Sequence, residues 1–212
     1  MKPVRWGILS TARIGTQKVI PGMRKSAALE VAAIASRSLA TAQAAADRLG
    51  IARAYGSYEE LLADPRIDAI YNPLPNHLHV PMTLAAAQAG KHVLCEKPMA
   101  LTAAEIAVLR PYTSRVHIRE AFMVRFHPQW IETRDLVRRG AIGKLRFMHV
   151  AFSYFNDDPA NIRNLAGTGG GALYDIGCYA IVAGRWFFEG NPTRVIATID
   201  RDPTFNTDRT TT

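Results

Sequence analysis

The sequence predicts an α/β protein: a doubly wound parallel sheet, then a second, incomplete α+β domain with an open mixed or antiparallel sheet. Three observations carry this. Short apolar runs alternate with helical stretches through the first half of the chain. Helix caps and stops punctuate those stretches. The second half changes to fewer helices and longer apolar runs.

Residues 4–10 read as a strand and 14–25 as a helix. A strand over 29–35 precedes a helix through the alanines of 40–49, capped by Ser38 and stopped by Gly50. Ser57 and Glu60 form a capping box for a short helix ending before Pro65. A brief strand covers 68–71, and Asn76 is expected to cap a helix that stops at Gly90. A buried strand covers 91–95. Thr102 and Glu105 form another capping box, for a helix that must stop by Pro111. The basic stretch 110–119 breaks that helix early. Beyond it, the sequence predicts a helix over 128–139, a long strand over 144–156, a helix over 175–189 and a strand over 194–200. Residues 208–212 read as the start of another strand. The expected domains are 1–121 and 122–212, with the boundary near Phe122.

Composition excludes several classes. The chain has 212 residues, 48% hydrophobic and 21% charged, which is ordinary globular usage. Two cysteines, Cys95 and Cys178, form no CxxC pair, so a reduced, cytoplasmic protein is expected. No apolar run approaches the ~18 residues of a membrane span, and the first residues lack a signal-peptide core. The net charge of +8 favours anionic partners without choosing among them. Its arginines are scattered rather than striped, and no nucleic-acid reading element accompanies them. His77 and His79 lack a third ligand at metal spacing, so no metal is expected. Trp6, Trp130 and Trp186 read as core or interface anchors.

The first strand runs into GILSTARIG. A dinucleotide turn needs small residues there, so that backbone N–H groups can approach a pyrophosphate. The G-x-G-x-x-G pattern falls on Ser10, Ala12 and Gly15, of which only the last is glycine. A plain strand-to-helix turn fits the motif about as well; its position, after the first strand of a βαβ unit, favours the nucleotide. At the end of the second strand stand Ser36, Arg37 and Ser38, with no carboxylate for a ribose 2′-hydroxyl. Arg37 can pair with a 2′-phosphate, so NADP is expected over NAD; a solvated surface arginine is the alternative. The fifth strand ends in Cys95-Glu96-Lys97-Pro98. Strand ends of this kind face the ligand crevice in a doubly wound sheet. A lysine there can donate a proton or polarise a carbonyl, whereas the bland account is a simple turn. Asp175 and Tyr179 share a helix face and make an orienting carboxylate and an acid/base phenol; a dipole-favoured Asp and a packed Tyr are the alternative.

These segments, with AYGSYEEL, PNHLH, AGKHVLCEKPMALTAAE, EAFMVRFHPQ and GGGALYDIGCY, resemble the glucose–fructose oxidoreductase / inositol dehydrogenase (Gfo/Idh/MocA) superfamily. The likeness runs through nearly the whole chain and is strongest to the branch of NADP-dependent D-xylose 1-dehydrogenases and dimeric dihydrodiol dehydrogenases. It implies a Rossmann domain and an NADP-dependent dehydrogenase acting on a sugar, polyol or related alcohol. It implies Lys97, Tyr179 and Asp175 as catalytic residues. Ser10, Thr11, Ala12, Arg13 and Ile14 would lie against the cofactor, and Ser36 and Arg37 would hold its 2′-phosphate. Pro75, Asn76 and His79 fall where the family lines the cofactor trough, Glu96 beside the nicotinamide ribose, and Arg125 near cofactor and substrate. Asn161 and Arg163 resemble substrate-side positions. A homodimer or homotetramer is implied too, but family members continue well beyond Thr212 with the strands that commonly form its interface, so a truncated chain is expected. An NADP-binding relative without turnover, or an inactive truncated product, is the competing reading.

Overall fold

A computed structural model describes residues 2–212. The chain divides after Ala121 into two compact units.

The first unit is built on a six-stranded sheet, all parallel, in the order β3-β2-β1-β4-β5-β6. Its strands are β1 (Val4–Leu9), β2 (Leu29–Ala35), β3 (Arg53–Tyr55), β4 (Ala69–Asn72), β5 (His92–Cys95) and β6 (Ile118–Glu120). Strand side chains alternate between faces, and the core divides accordingly. Ile8, Ile34 and Tyr71 pack on one face with Ile20 and Met23 of α1 (Ile20–Met23) and Ala45 and Ala46 of α2 (Leu39–Leu49). Leu9, Ala35, Ile70 and Val93 pack on the other, with Leu61 and Leu62 of α3 (Tyr58–Ala63) and Ala86 of α4 (His79–Gln88). Burial of each large aliphatic side chain contributes about 1.5–3 kcal/mol. Helices on both faces of a parallel sheet are the doubly wound arrangement that the sequence predicts.

Local chemistry sets the helix ends. Ser38 accepts from the Thr41 amide, and Gly50 ends α2 in the left-handed conformation. Ser57 accepts from the Glu60 amide, while the Glu60 carboxylate reaches back to the Gly56 amide. The helix after β1 begins with a π-helical stretch, Gly15–Val19, before α1. Asn76 does not cap α4. Pro75, extended, leads into a 3-10 turn over Asn76–Leu78, and its carbonyl accepts from the Leu78 amide. Residues Glu105–Tyr112 wind as a 3-10 run with Pro111 inside, not as an α-helix ending before it. In α geometry Pro111 lacks a donor and crowds the preceding turn, so the chain winds tighter. The stretch 110–119, read as a break, leads into β6, with Val116 buried on the way.

A buried acidic centre lies below the strands. Asp64 is buried, and its carboxylate accepts from Arg66 Nε at 2.9 Å and the Tyr55 hydroxyl at 2.6 Å. Burial pushes the Asp64 carboxyl up, but these hydrogen bonds outweigh it and hold the group well below the usual carboxylate range.

The second unit holds α5 (Pro128–Arg138), α6 (Cys178–Phe188) and an antiparallel pair, β7 (Ile199–Arg201) with β8 (Asp208–Thr211). His127 caps α5, its Nδ1 accepting from the Gln129 amide. Trp186 Nε1 donates to the Trp130 carbonyl, tying α6 to α5. The last helix starts earlier than the sequence predicts, in a π-helical stretch over Leu173–Gly177. The expected strand over 144–156 does not form, and of the strand over 194–200 only the end pairs. A strand is stabilised by its ladder, and among the described residues β8 pairs only with β7. Phe155, in the unpaired stretch, is 87% exposed.

Asp208 anchors this unit. Its Oδ2 accepts from the Leu173 amide at 2.6 Å, satisfying an otherwise orphaned donor at the helix start. Gly171 has φ +111, and a Cβ there would overlap Asp208 Oδ1. The Gly169-Gly170-Gly171 run therefore permits close approach of β8 to the helix.

Two stability tests follow from these contacts. Asp64→Asn leaves Arg66 and Tyr55 without their carboxylate and is expected to cost about 2–4 kcal/mol at pH 7. The Asp64 contribution is complete above the unfolded carboxylate pKa and is lost as pH falls toward the lower folded value. The wild-type advantage in urea unfolding should therefore narrow by about 1 kcal/mol at pH 3; a constant gap would contradict the assignment. Gly171→Ala combines overlap with strained backbone and should destabilise the second unit by about 2–4 kcal/mol. Thermal unfolding by near-ultraviolet circular dichroism checks it, and an unchanged midpoint would show that Asp208 does not need the glycine.

Candidate active site

In an open parallel sheet, ligands bind beyond the carboxyl ends of the strands, where the strand order reverses. Here β1 lies between β2 and β4, and the order reverses at it. Four strand ends bring the expected residues of the first unit to one edge. Ser10–Ile14 follow β1, Ser36 and Arg37 follow β2, Pro75 and Asn76 follow β4, and Glu96 and Lys97 follow β5.

The β1 turn behaves as a glycine turn without its first two glycines. Ser10 adopts φ +71, and its hydroxyl accepts from the Ala12 amide at 3.2 Å. This local bond helps a small polar residue hold a conformation usually left to glycine. Gly15 opens the helix, and a Cβ there would come into van der Waals contact with Tyr71 Cε1, at 3.4 Å. The turn thus fits a phosphate-bearing group at a helix start. Arg13 and Ile14 are exposed beside it, and Thr11 and Ala12 are half-buried.

At the end of β2, the Ser36 amide donates to the Tyr55 carbonyl, which orders the turn. Arg37 is exposed. Burial raises the pKa of the neighbouring Tyr58, and the Arg37 charge opposes that rise. No carboxylate occupies this strand end.

The β4 and β5 loops are tightly bonded. Asn72, fully buried, donates to the His79 carbonyl and Thr83 Oγ1, and its own Oδ1 accepts from the Leu74 amide. The Tyr71 hydroxyl donates to Glu96 Oε1 at 2.6 Å, and Glu96 Oε2 accepts from the Lys97 amide at 3.3 Å. Burial, with Glu96 alongside, raises the Tyr71 pKa far above the ordinary phenol range. Lys97 and Pro98 are joined by a cis peptide bond. Pro75, Asn76, Glu96 and Lys97 are all half-buried. His79 is only 1% exposed, with Nδ1 2.6 Å from the Pro98 carbonyl and Nε2 2.6 Å from the Leu74 carbonyl. It lies under the loops rather than lining them. Burial lowers its pKa, against the two carbonyls that favour the charged ring. Cys95 is buried, and its thiol is pushed up to about 12 by that burial. It is an inert packing group, not a nucleophile.

In the second unit, Asp175 and Tyr179 stand on successive turns of the last helix, both half-buried. Asp175 Oδ2 accepts from the Tyr154 hydroxyl at 2.6 Å and pairs with Arg163 Nε at 2.9 Å. The Tyr154 phenol is pushed up to about 12, by burial first and then by Asp175. Tyr179 packs between Phe122 and Phe152, with ring centroids 5.0 and 5.9 Å away. A cavity of about 270 Å³ is lined by Tyr154, Asn156, Arg163, Asn164 and Asp208 among others. Asn161 makes the turn that presents Arg163, its Oδ1 accepting from the Arg163 amide. Arg125 is exposed, its guanidinium 5.9 Å from the Trp186 ring. Sequence reasoning missed Tyr71 and Tyr154. Both carry a phenol to a carboxylate distant in sequence, and only the fold reveals such a pairing.

Among the described residues, no cluster of His, Cys, Asp and Glu could hold a metal ion. Nor is any described helix long and apolar enough to cross a membrane.

Comparison with known proteins identifies the family. Residues 4–114 match the family model described as oxidoreductase family, NAD-binding Rossmann fold (GFO_IDH_MocA), and residues 130–212 match the GFO/IDH/MocA C-terminal domain. The chain is 54% identical to an uncharacterized oxidoreductase, ORF334, of Rhizobium meliloti, over 100% of this chain and 64% of that protein. It is 48% identical to D-xylose 1-dehydrogenase (NADP(+)) 2 of Haloferax volcanii, over 91% of this chain and 59% of that one. A crystal structure of KijD10, a 3-ketoreductase from Actinomadura kijaniata in complex with NADP and TDP-benzene, superposes with a TM-score of 0.92. It is 32% identical and covers 98% of this chain and 64% of its own. The chain thus spans about two thirds or less of the length of these relatives. Two family models in order and a six-stranded parallel sheet lead to one conclusion: this chain belongs to the GFO/IDH/MocA oxidoreductase family.

Proposed function

We propose that this chain transfers a hydride between NADP(H) and the carbinol or carbonyl carbon of a sugar, polyol or related alcohol. The observation that carries the reading is the gathering of Ser10–Ile14, Ser36, Arg37, Asn76, Glu96 and Lys97 at one edge of one parallel sheet. The Haloferax relative, named for D-xylose and NADP(+), and KijD10, crystallised with NADP, support it.

The bound cofactor would supply the hydride acceptor or donor; the chain's residues would do the rest. The Ser10–Ile14 turn would receive the pyrophosphate through backbone N–H groups. Arg37 would pair with the 2′-phosphate, with Ser36 hydrogen bonding to it. Glu96 would hold the nicotinamide ribose, and Pro75, Asn76 and Arg125 would line the cofactor's path. Tyr179 would take or give the hydroxyl proton, and Lys97 would lower its pKa and polarise the oxygen. Asp175 would orient its partners, a task suited to a carboxylate already held by Tyr154 and Arg163. Arg163 and Asn161 would serve the substrate side.

Two experiments test this. NADPH titrated by fluorescence, followed by a sugar panel with NADP, asks for binding and turnover together. Lys97→Ala and Tyr179→Phe should each lower kcat by about a hundredfold or more while NADPH still binds; normal turnover in either variant would remove that residue's role. Binding without turnover in the unaltered chain would favour a non-catalytic relative. Separately, Arg37→Asp should weaken NADPH binding at least about tenfold and leave NADH unharmed. An unchanged preference would refute the phosphate contact.

A further inference from the structure

The Glu96–Lys97–Pro98 turn is bonded on both sides by buried rings that the proposed chemistry does not use. Tyr71, 0% exposed, stands in β4 with its ring against Gly15 and its hydroxyl on Glu96 Oε1. His79, at the start of α4, reaches the Pro98 carbonyl with one ring nitrogen and the Leu74 carbonyl with the other. Both acceptors are carbonyls and a neutral ring carries one N–H, so His79 donates to the loop after β5 or to the loop after β4 according to its tautomer. Further bonds close the arrangement. The Glu96 amide donates to the Asn72 carbonyl, and the Met99 amide donates to Glu120 Oε1 at 2.8 Å.

We infer that Tyr71 and His79 are positioning residues that clamp the Lys97 turn from either side and act on the reaction only through it. The inference rests on the oxidoreductase reading for its kinetic consequences. A lysine on a turn is only as well placed as the backbone beneath it. Here the residue before Lys97 is held by its carboxylate and the residue after by its carbonyl. Supporting bonds of this kind commonly determine how accurately a reacting group is presented. Tyr71 suits the task because its buried phenol stays protonated and so always donates. Its ring also lies beneath Gly15, the first residue of the helix after the nucleotide turn. His79 is assigned a place behind the cofactor loops, not against the cofactor.

The test uses the full chain with Tyr71→Phe and His79→Gln, singly and together. Tyr71→Phe keeps the ring against Gly15 and removes only the hydroxyl, so it reads the clamp even if His79→Gln folds poorly. Hydrogen exchange by NMR should quicken about tenfold or more at the Lys97 and Met99 amides, with the strands unchanged. NADPH affinity should stay within about threefold while kcat falls about tenfold to a hundredfold and substrate KM holds. The double variant should be little worse than the poorer single one, as members of one clamp. Unchanged exchange at both amides would overturn the inference. So would a loss of NADPH affinity in His79→Gln matching its loss of kcat, which would make His79 a cofactor contact. If the unaltered chain turns over no sugar or polyol, the oxidoreductase reading fails by itself, and exchange still decides whether the clamp exists.

Discussion

The structure of the first unit depends on one strand being paired on both edges. β1 bonds to β2 on one side and to β4 on the other, both parallel. Parallel neighbours require crossovers, and right-handed crossovers that run one way along the sheet (β1 to β2 to β3) and then the other (β3 to β4 to β5) must cover opposite faces. That sends α1 and α2 to one face and α3 and α4 to the other. It also leaves a gap above β1 that no crossover fills. The residues that a nucleotide would need, from four separate segments of sequence, therefore reach one edge of one sheet. None of them is near the others along the chain, and the sheet order alone explains their meeting.

Much of this was legible in the sequence, for identifiable reasons. The capping serines at 38 and 57 and the stop at Gly50 are local chemistry and formed as read. Strand ends at β1, β2, β4 and β5 were legible because turn residues follow buried apolar runs. The edge strands β3 and β6 were not, being three residues each with half-buried or exposed side chains. An edge strand is defined by its neighbour's free backbone, not by its own pattern. The same dependence, in reverse, removed the strand expected over 144–156: an apolar run becomes a strand only where a ladder partner exists. Asn76 misled for a local reason, because Pro75 already holds the capping position.

The site residues divide along similar lines. Lys97, Asp175 and Tyr179 stood out in the sequence because their residue types and spacing suit acid/base chemistry. The phenols that hold their neighbours, Tyr71 on Glu96 and Tyr154 on Asp175, are separated from those carboxylates by 25 and 21 residues. Nothing in a linear reading distinguishes a supporting tyrosine from a packing one. Both units nonetheless show the same device, a phenol, buried in Tyr71 and exposed in Tyr154, donating to a carboxylate of the proposed site. In each case the phenol fixes one carboxylate oxygen in place.

The net charge of +8 acquires a structure once the ion pairs are known. Arg5 is committed to Asp68, Arg53 and Arg66 to Asp64, Arg138 to Glu189, Arg163 to Asp175 and Arg209 to Asp200. Arg125 and Arg134 lie over the Trp186 ring. These arginines brace their own units, and a basic face for nucleic acid is not what they make. Arg13 and Arg37 differ: each is exposed and follows a strand whose carboxyl end faces the ligand edge. A polyanion approaching that edge meets two guanidinium groups at the ends of adjacent strands, β1 and β2. The sheet topology thus delivers two of the exposed charges to one place, the neighbouring strand ends at which the proposed cofactor's phosphates would arrive.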